Sequence, residues 1–225
     1  MVKPKMVIKL KEPTLAHLIR KAHESYGFVS AFIYGHQGAG KTTYALKTLN
    51  AIYNNWDMVL KYTFLDGEKL ISTLIEAYQN EERIKAILID DAGLVFIKYS
   101  WYKDFSQWFS KLFNIIRTIC SGVLLTSIEV TDIIKFVRDK VMYRVYVEKK
   151  APKEAVAIGY KVKVLPSLEY IVERTFSDQV KLELPNEVRK QYEEYRKQVV
   201  GELLSEVRKP RKKEPIPDLE EILNV

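Results

Sequence analysis

One cysteine, Cys120, in a chain of 225 residues excludes an intramolecular disulfide, and no Cys/His spacing suited to a metal site occurs anywhere. Apolar runs long enough to span a bilayer are also missing. The first eleven residues carry lysines but neither an apolar core nor a small-residue cleavage site, which speaks against a secretory leader and for a cytoplasmic protein. Glycine and proline are sparse, at nine and eight, so low-complexity and fibrous classes drop out. What remains is a balance of 47% hydrophobic and 29% charged residues, expected of a chain that buries its own core. The formal net charge of +7 and a pI near 9.2 suit a polyanionic partner such as nucleic acid, and equally suit a surface of solvated lysines.

Along the first two thirds, short apolar runs alternate with helical patterns. Met6–Leu10 reads as a strand, and Thr14 as the cap of a helix with Leu15, Leu18, Ile19 and Ala22 on one face, ended by Gly27. Further strands are expected at Phe28–Tyr34, Trp56–Leu65, Ile84–Ile89 and Gly122–Leu125. The intervening helices are Lys41 to about Tyr53, one capped by Asp66 and bearing Leu70, Leu74, Ile75 and Tyr78, and an aromatic one between Tyr99 and Ile119. Such a βαβ series predicts an α/β fold with a parallel sheet sandwiched by helices. After a helix carrying Ile133, Ile134, Phe136 and Val137, the runs Val141–Glu148, Val156–Val164 and Leu168–Phe176 predict hairpins that either close the sheet edge or form a β-appendage. A polar helix from Pro185 to Val207 and a charged tail follow. The expected segments are therefore residues 1–27, a core at 28–184, a C-terminal helix at 185–207 and a flexible tail at 208–225.

Two motifs carry chemistry. Gly35-His36-Gln37-Gly38-Ala39-Gly40-Lys41-Thr42, followed by Thr43, has the spacing of a phosphate-binding loop between an apolar strand and a helix. Glycines let backbone N–H groups approach phosphate oxygens, Lys41 reaches the β and γ phosphates, and the Thr42 hydroxyl suits Mg²⁺. The second motif, Ala86-Ile87-Leu88-Ile89-Asp90-Asp91, is a buried strand delivering two carboxylates where sheets of this class place their ligands.

The second motif resembles Walker B. That resemblance makes Asp90 the magnesium partner through water and puts Asp91 where the additional-strand class of P-loop ATPases has a glutamate that polarises the attacking water. Asp91 is one methylene shorter, and a helix cap is its alternative role. Thr126 and Ser127 fall where those families carry a sensor residue, or else cap a turn. A whole strand between the motifs also fits the additional-strand class; in kinases and GTPases the acidic strand usually lies beside the loop strand.

Residues 28–148 thus resemble the core of a small RecA-like or AAA+-like ATPase. Leu88-Ile89-Asp90-Asp91-Ala92-Gly93 is similar to the Asp-Asp-x-Gly run of bacterial helicase loaders, and the later strands to FtsK/HerA-type DNA-pumping ATPases. Small ATPases of this type occur in archaeal viruses and plasmids, which would place the protein in a host cytoplasm. The resemblance implies ATP and Mg²⁺ as cofactors, DNA as partner, a homo-oligomer, and work as a motor, packaging or replication-associated ATPase. A helicase-loader-like switch and a small-molecule kinase are the rivals, the latter without an acceptor-site signature.

Arg138 and Arg117 are candidate arginine fingers, with surface ion pairs as the alternative. The stretch Phe96–Lys103 interleaves aromatics and lysines as a single-strand contact would, although Trp101, Phe105, Trp108, Leu112 and Ile115 recur at core-facing helical spacing. In the tail, Arg208, Lys209, Arg211, Lys212 and Lys213 suit phosphates, and Leu219, Ile222 and Leu223 suit a protein partner.

Overall fold

The computed structural model describes residues 12–93, 105–128, 140–167 and 170–207, with backbone alone considered at 105–110, 164, 206 and 207. Along them run α1 (Thr14–Glu24), β1 (Val29–Tyr34), α2 (Lys41–Tyr53), α3 (Trp56–Lys61), β2 (Thr63–Phe64), α4 (Gly67–Gln79) and β3 (Ile87–Ile89). Then follow α5 (Phe105–Ile119), β4 (Gly122–Thr126), β5 (Tyr143–Ala151), β6 (Glu154–Val164), β7 (Tyr170–Lys181) and α6 (Asn186–Val207).

The strands form one mixed sheet of seven in the order β2-β3-β4-β1-β5-β6-β7. The first five are mutually parallel, whereas β6 and β7 pair antiparallel. The expectation of a parallel sheet is corrected to that extent. The later strands extend the same sheet, because β5 continues its ladder directly into β6 from Tyr143↔Lys161 to Ala151↔Glu154.

Side chains alternate across the sheet and so build two cores. Ala31 and Ile33 of β1, Leu124 of β4, and Val145 and Val147 of β5 pack with α1 and α2 through Leu15, Ile19, Tyr44 and Leu49. Phe32, Val123, Leu125, Ile87 and Ile89 face the other way, toward Leu70 and Leu74 of α4 and Leu112, Phe113 and Ile116 of α5. The proposed aromatic stripe survives in its described part, with Leu112 buried and Ile115 half-buried against this second core. Trp101 and the side chains of Phe105 and Trp108 lie outside the described residues.

Two local readings are corrected. Trp56–Leu65 is not one strand, since Asn55 caps a helix by accepting from the N–H groups of Asp57 (2.8 Å) and Met58 (3.2 Å), leaving only Thr63–Phe64 to pair with β3. Thr14 does not cap α1 through its side chain. Its hydroxyl and N–H both donate to the Asp178 carboxylate at 2.6 and 2.8 Å, tying α1 to β7. Asp66 does cap α4, accepting from Glu68 N–H at 3.0 Å. The strand at Met6–Leu10, the helix at Ile133–Val137 and the tail fall outside the described residues. No helix among the described residues is long and apolar enough to cross a membrane.

Candidate functional site

Parallel pairing brings the carboxyl ends of three strands abreast. β1 pairs with β4 up to Ile33↔Thr126, and β3 pairs with β4 up to Ile89↔Leu125. The loop that follows β1, the acids that follow β3 and Thr126 of β4 therefore share one edge, where α/β sheets place ligands.

The loop needs its glycines for different reasons. A Cβ on Gly35 (φ +146°) would fall 2.3 Å from the carbonyl oxygen of Val147, and one on Gly40 (φ +98°) 2.2 Å from Leu182 Cδ2. Gly38 (φ +74°) has nothing within 4 Å of that position, so its exposed face is open to a ligand. Gly40 is also the N-cap of α2, whose first N–H groups and positive dipole end point into the edge. Lys41 is buried, and its ammonium donates to the carbonyls of Gly35 (2.9 Å) and His36 (3.0 Å). Loss of hydration at this site lowers its pKa, partly offset by the charges of Asp91 and Asp90.

Asp90 is fully buried and accepts from three side chains. Thr126 Oγ1 donates to Oδ1 at 2.5 Å, Tyr192 OH donates to Oδ2, and Thr42 Oγ1 lies 3.0 and 3.2 Å from the two oxygens. Burial raises the Asp90 pKa, the hydrogen bonds from Thr126 and Tyr192 oppose that, and the Asp91 charge adds to it. Asp91 takes a left-handed φ of +47°, a conformation that aspartate tolerates better than most residues. Its N–H donates to Thr126 Oγ1 at 2.8 Å, and its Oδ2 meets Arg196 Nη2 at 2.6 Å.

Thr126 thus spans both acids with a single hydroxyl, donating to one carboxylate and accepting from the backbone of the other residue. Its neighbour Ser127 lines the cleft that opens above the loop. This cleft, of about 760 Å³, is also lined by Gln37, Gly38, Lys41, Thr42, Thr43 and, opposite, Asp91 and Arg196. Of the remaining candidates, His36 lends its carbonyl to Lys41, Ala39 is buried inside the loop, and Arg117 is exposed on α5. Arg138 lies outside the described residues, as do Phe96–Lys103 and the tail.

Tyr192 and Arg196 are the residues that sequence reading missed. They lie one turn apart on α6, on a face that also buries Val188 and Val199. Tyr195, next to that face, accepts from Leu65 N–H at 3.3 Å. The available signal was the spacing of Val188, Tyr192, Tyr195 and Val199, an apolar stripe on a helix otherwise dominated by charge.

No known family profile matches the chain. It is similar to an uncharacterised protein, B-251, of Sulfolobus spindle-shape virus 1, with 34% identity over 209 residues, or 84% of this chain and 82% of that protein. It is also similar to an uncharacterised protein, ORF286, of Acidianus two-tailed virus, with 31% identity over 159 residues, or 68% of this chain and 56% of that one. Both relatives come from archaeal viruses, in keeping with that part of the resemblance.

Proposed function

The chain belongs to the family of B-251 from Sulfolobus spindle-shape virus 1, and from the geometry of its loop and acids we propose that it is a P-loop ATPase of the additional-strand class that couples ATP hydrolysis to work on DNA. The observation that carries this reading is the approach of the Thr42 hydroxyl to the buried Asp90 carboxylate, 3.0 Å apart, beside Lys41 and beneath a loop with one open glycine face. The strand order lends support, because β4 lies between the loop strand β1 and the acidic strand β3.

The donor set suits Mg·ATP. Loop N–H groups and the start of α2 hold phosphate oxygens, and Lys41 exchanges its two carbonyl partners for the β and γ phosphates. Thr42 would offer a hydroxyl ligand to Mg²⁺, and Asp90, already gripped by Thr126 and Tyr192, would help to hold the ion. Bound Mg²⁺ would supply neutralisation of phosphate charge. Asp91 borders the cleft and accepts the proton of the attacking water. A nucleic-acid partner, with which the net charge of +7 is compatible, and assembly into a homo-oligomer are parts of the same proposal. A switch that hydrolyses slowly and exchanges partners is the second reading, favoured by the ion pair that occupies Asp91.

Steady-state ATP turnover with and without DNA tests both. Stimulation by DNA supports the motor, and tight ATP binding with negligible turnover supports the switch. Lys41→Ala should abolish productive ATP binding, and wild-type affinity and turnover in that variant would sink the assignment.

A further inference from the structure

The contact between α6 and the acids has a consequence for substrate discrimination. Arg196 Nη2 meets Asp91 Oδ2 at 2.6 Å, and both side chains border the cleft together with Gly38, Lys41 and Thr42. About half of the Arg196 side chain is exposed (51%), so the guanidinium can swing without breaking a packed core, whereas Asp91 is held at its N–H by Thr126 and is only 18% exposed. One turn earlier, Tyr192 fixes α6 against Asp90 and so sets the pivot from which Arg196 reaches. In this arrangement a cation occupies the carboxylate oxygen that the proposed reaction needs for water.

We propose that Arg196 is a γ-phosphate-binding catalytic residue supplied by the chain's own C-terminal helix, and that it leaves Asp91 for the terminal phosphate of a nucleoside triphosphate. The inference rests on the P-loop reading above. A guanidinium binds a phosphate oxygen as readily as a carboxylate, and the terminal group of a triphosphate offers three such oxygens. The exchange does two things at once. It sets positive charge against the negative oxygens of the phosphoryl group as that group passes from the departing diphosphate to water, and it clears Asp91 Oδ2 to accept the water proton. A diphosphate leaves the terminal position vacant and does not draw the arginine away, so the ion pair persists and the site stays shut. The nucleotide state is thereby passed to α6 by a contact within one chain, with no neighbouring subunit required.

The test is equilibrium binding of Mg·ADP and of a Mg-bound non-hydrolysable ATP analogue to the full chain, alongside ATP turnover. Four proteins are compared: wild type, Arg196→Ala, Asp91→Asn, and the two changes combined. Arg196→Ala should weaken the triphosphate analogue by about tenfold or more, change ADP affinity by less than about twofold, and lower kcat on the order of a hundredfold. Asp91→Asn, which leaves α6 untouched, should tighten the triphosphate analogue several-fold, and that gain should vanish when Arg196 is also replaced. A merely structural pair would produce neither the selectivity for triphosphate nor this coupling. Unchanged analogue-to-ADP preference and turnover in Arg196→Ala, or an Asp91→Asn gain that survives loss of the arginine, would overturn the proposal while leaving the ATPase reading intact. Failure of the wild type to bind either nucleotide would overturn both.

Discussion

Tyr192 donates its phenolic hydrogen to Oδ2 of Asp90, a residue 102 positions earlier in the chain. Burial and the facing carboxylates raise the Tyr192 pKa, so the phenol stays protonated and remains a donor throughout the range in which proteins are folded. A buried carboxylate must collect its hydrogen bonds from its surroundings, and here α2, β4 and α6 each supply one.

Tyr192→Phe keeps the ring and removes only the donor. Because the lost bond goes to a buried acid, folding stability should fall by about 1.5–3 kcal/mol, read as a shift in the urea midpoint at constant slope. An unchanged midpoint would mean that Thr42 and Thr126 satisfy Asp90 alone.

Asp91→Asn retains the size of the side chain but not its proton acceptor. Mg·ATP should still bind, and single-turnover hydrolysis should slow on the order of 10²-fold or more. Equal rates in the two proteins would reduce Asp91 to a turn residue tied to Thr126 and Arg196.

Gly40→Ala combines a left-handed φ with a collision at Leu182. The backbone part should cost about 1–2 kcal/mol, and the collision more. Adding Leu182→Ala should recover the steric part and leave the backbone part, as measured by thermal unfolding of both variants. Full recovery would place the whole cost in the collision.

Cys120 is fully buried, and burial drives its thiol pKa well above the ordinary value. A thiol reagent should therefore label the native protein slowly, at a rate that follows opening of the fold, and label it at once in denaturant. Equally fast labelling in both states would show that the end of α5 opens readily.

The sites legible in the sequence were those where local pattern and tertiary role agree. Phe28–Tyr34 is apolar because both faces of β1 are covered, and the glycine loop and Asp90–Asp91 sit at strand ends, so linear spacing located them. Asp66 announced α4 for the same reason. Trp56–Leu65 misled because its β-prone residues, Trp56, Val59 and Tyr62, are packed against helices, while the stronger local signal was Asn55 with Asp57 in the first turn of α3. Thr14 had the right type for a cap, but a carboxylate more than a hundred residues away competes for its hydroxyl and N–H. Long-range pairing also hid Tyr192 and Arg196. The stripe of Val188, Tyr192, Tyr195 and Val199 marks a buried face of α6 but does not say what that face meets, and the roles of Tyr192 and Arg196 appear only when α6 folds back over the strand ends.

That fold-back also imposes an order on synthesis. Both acids leave the ribosome about a hundred residues ahead of Tyr192 and the loop about 150 ahead, delays of roughly 5–30 s at ~5–20 residues per second. During that interval Asp90 has at most two of its three side-chain donors, Thr126 following it by 36 residues, and Asp91 has no arginine across from it. The growing chain therefore passes through a stage with an open acidic edge, which closes only when α6 is made.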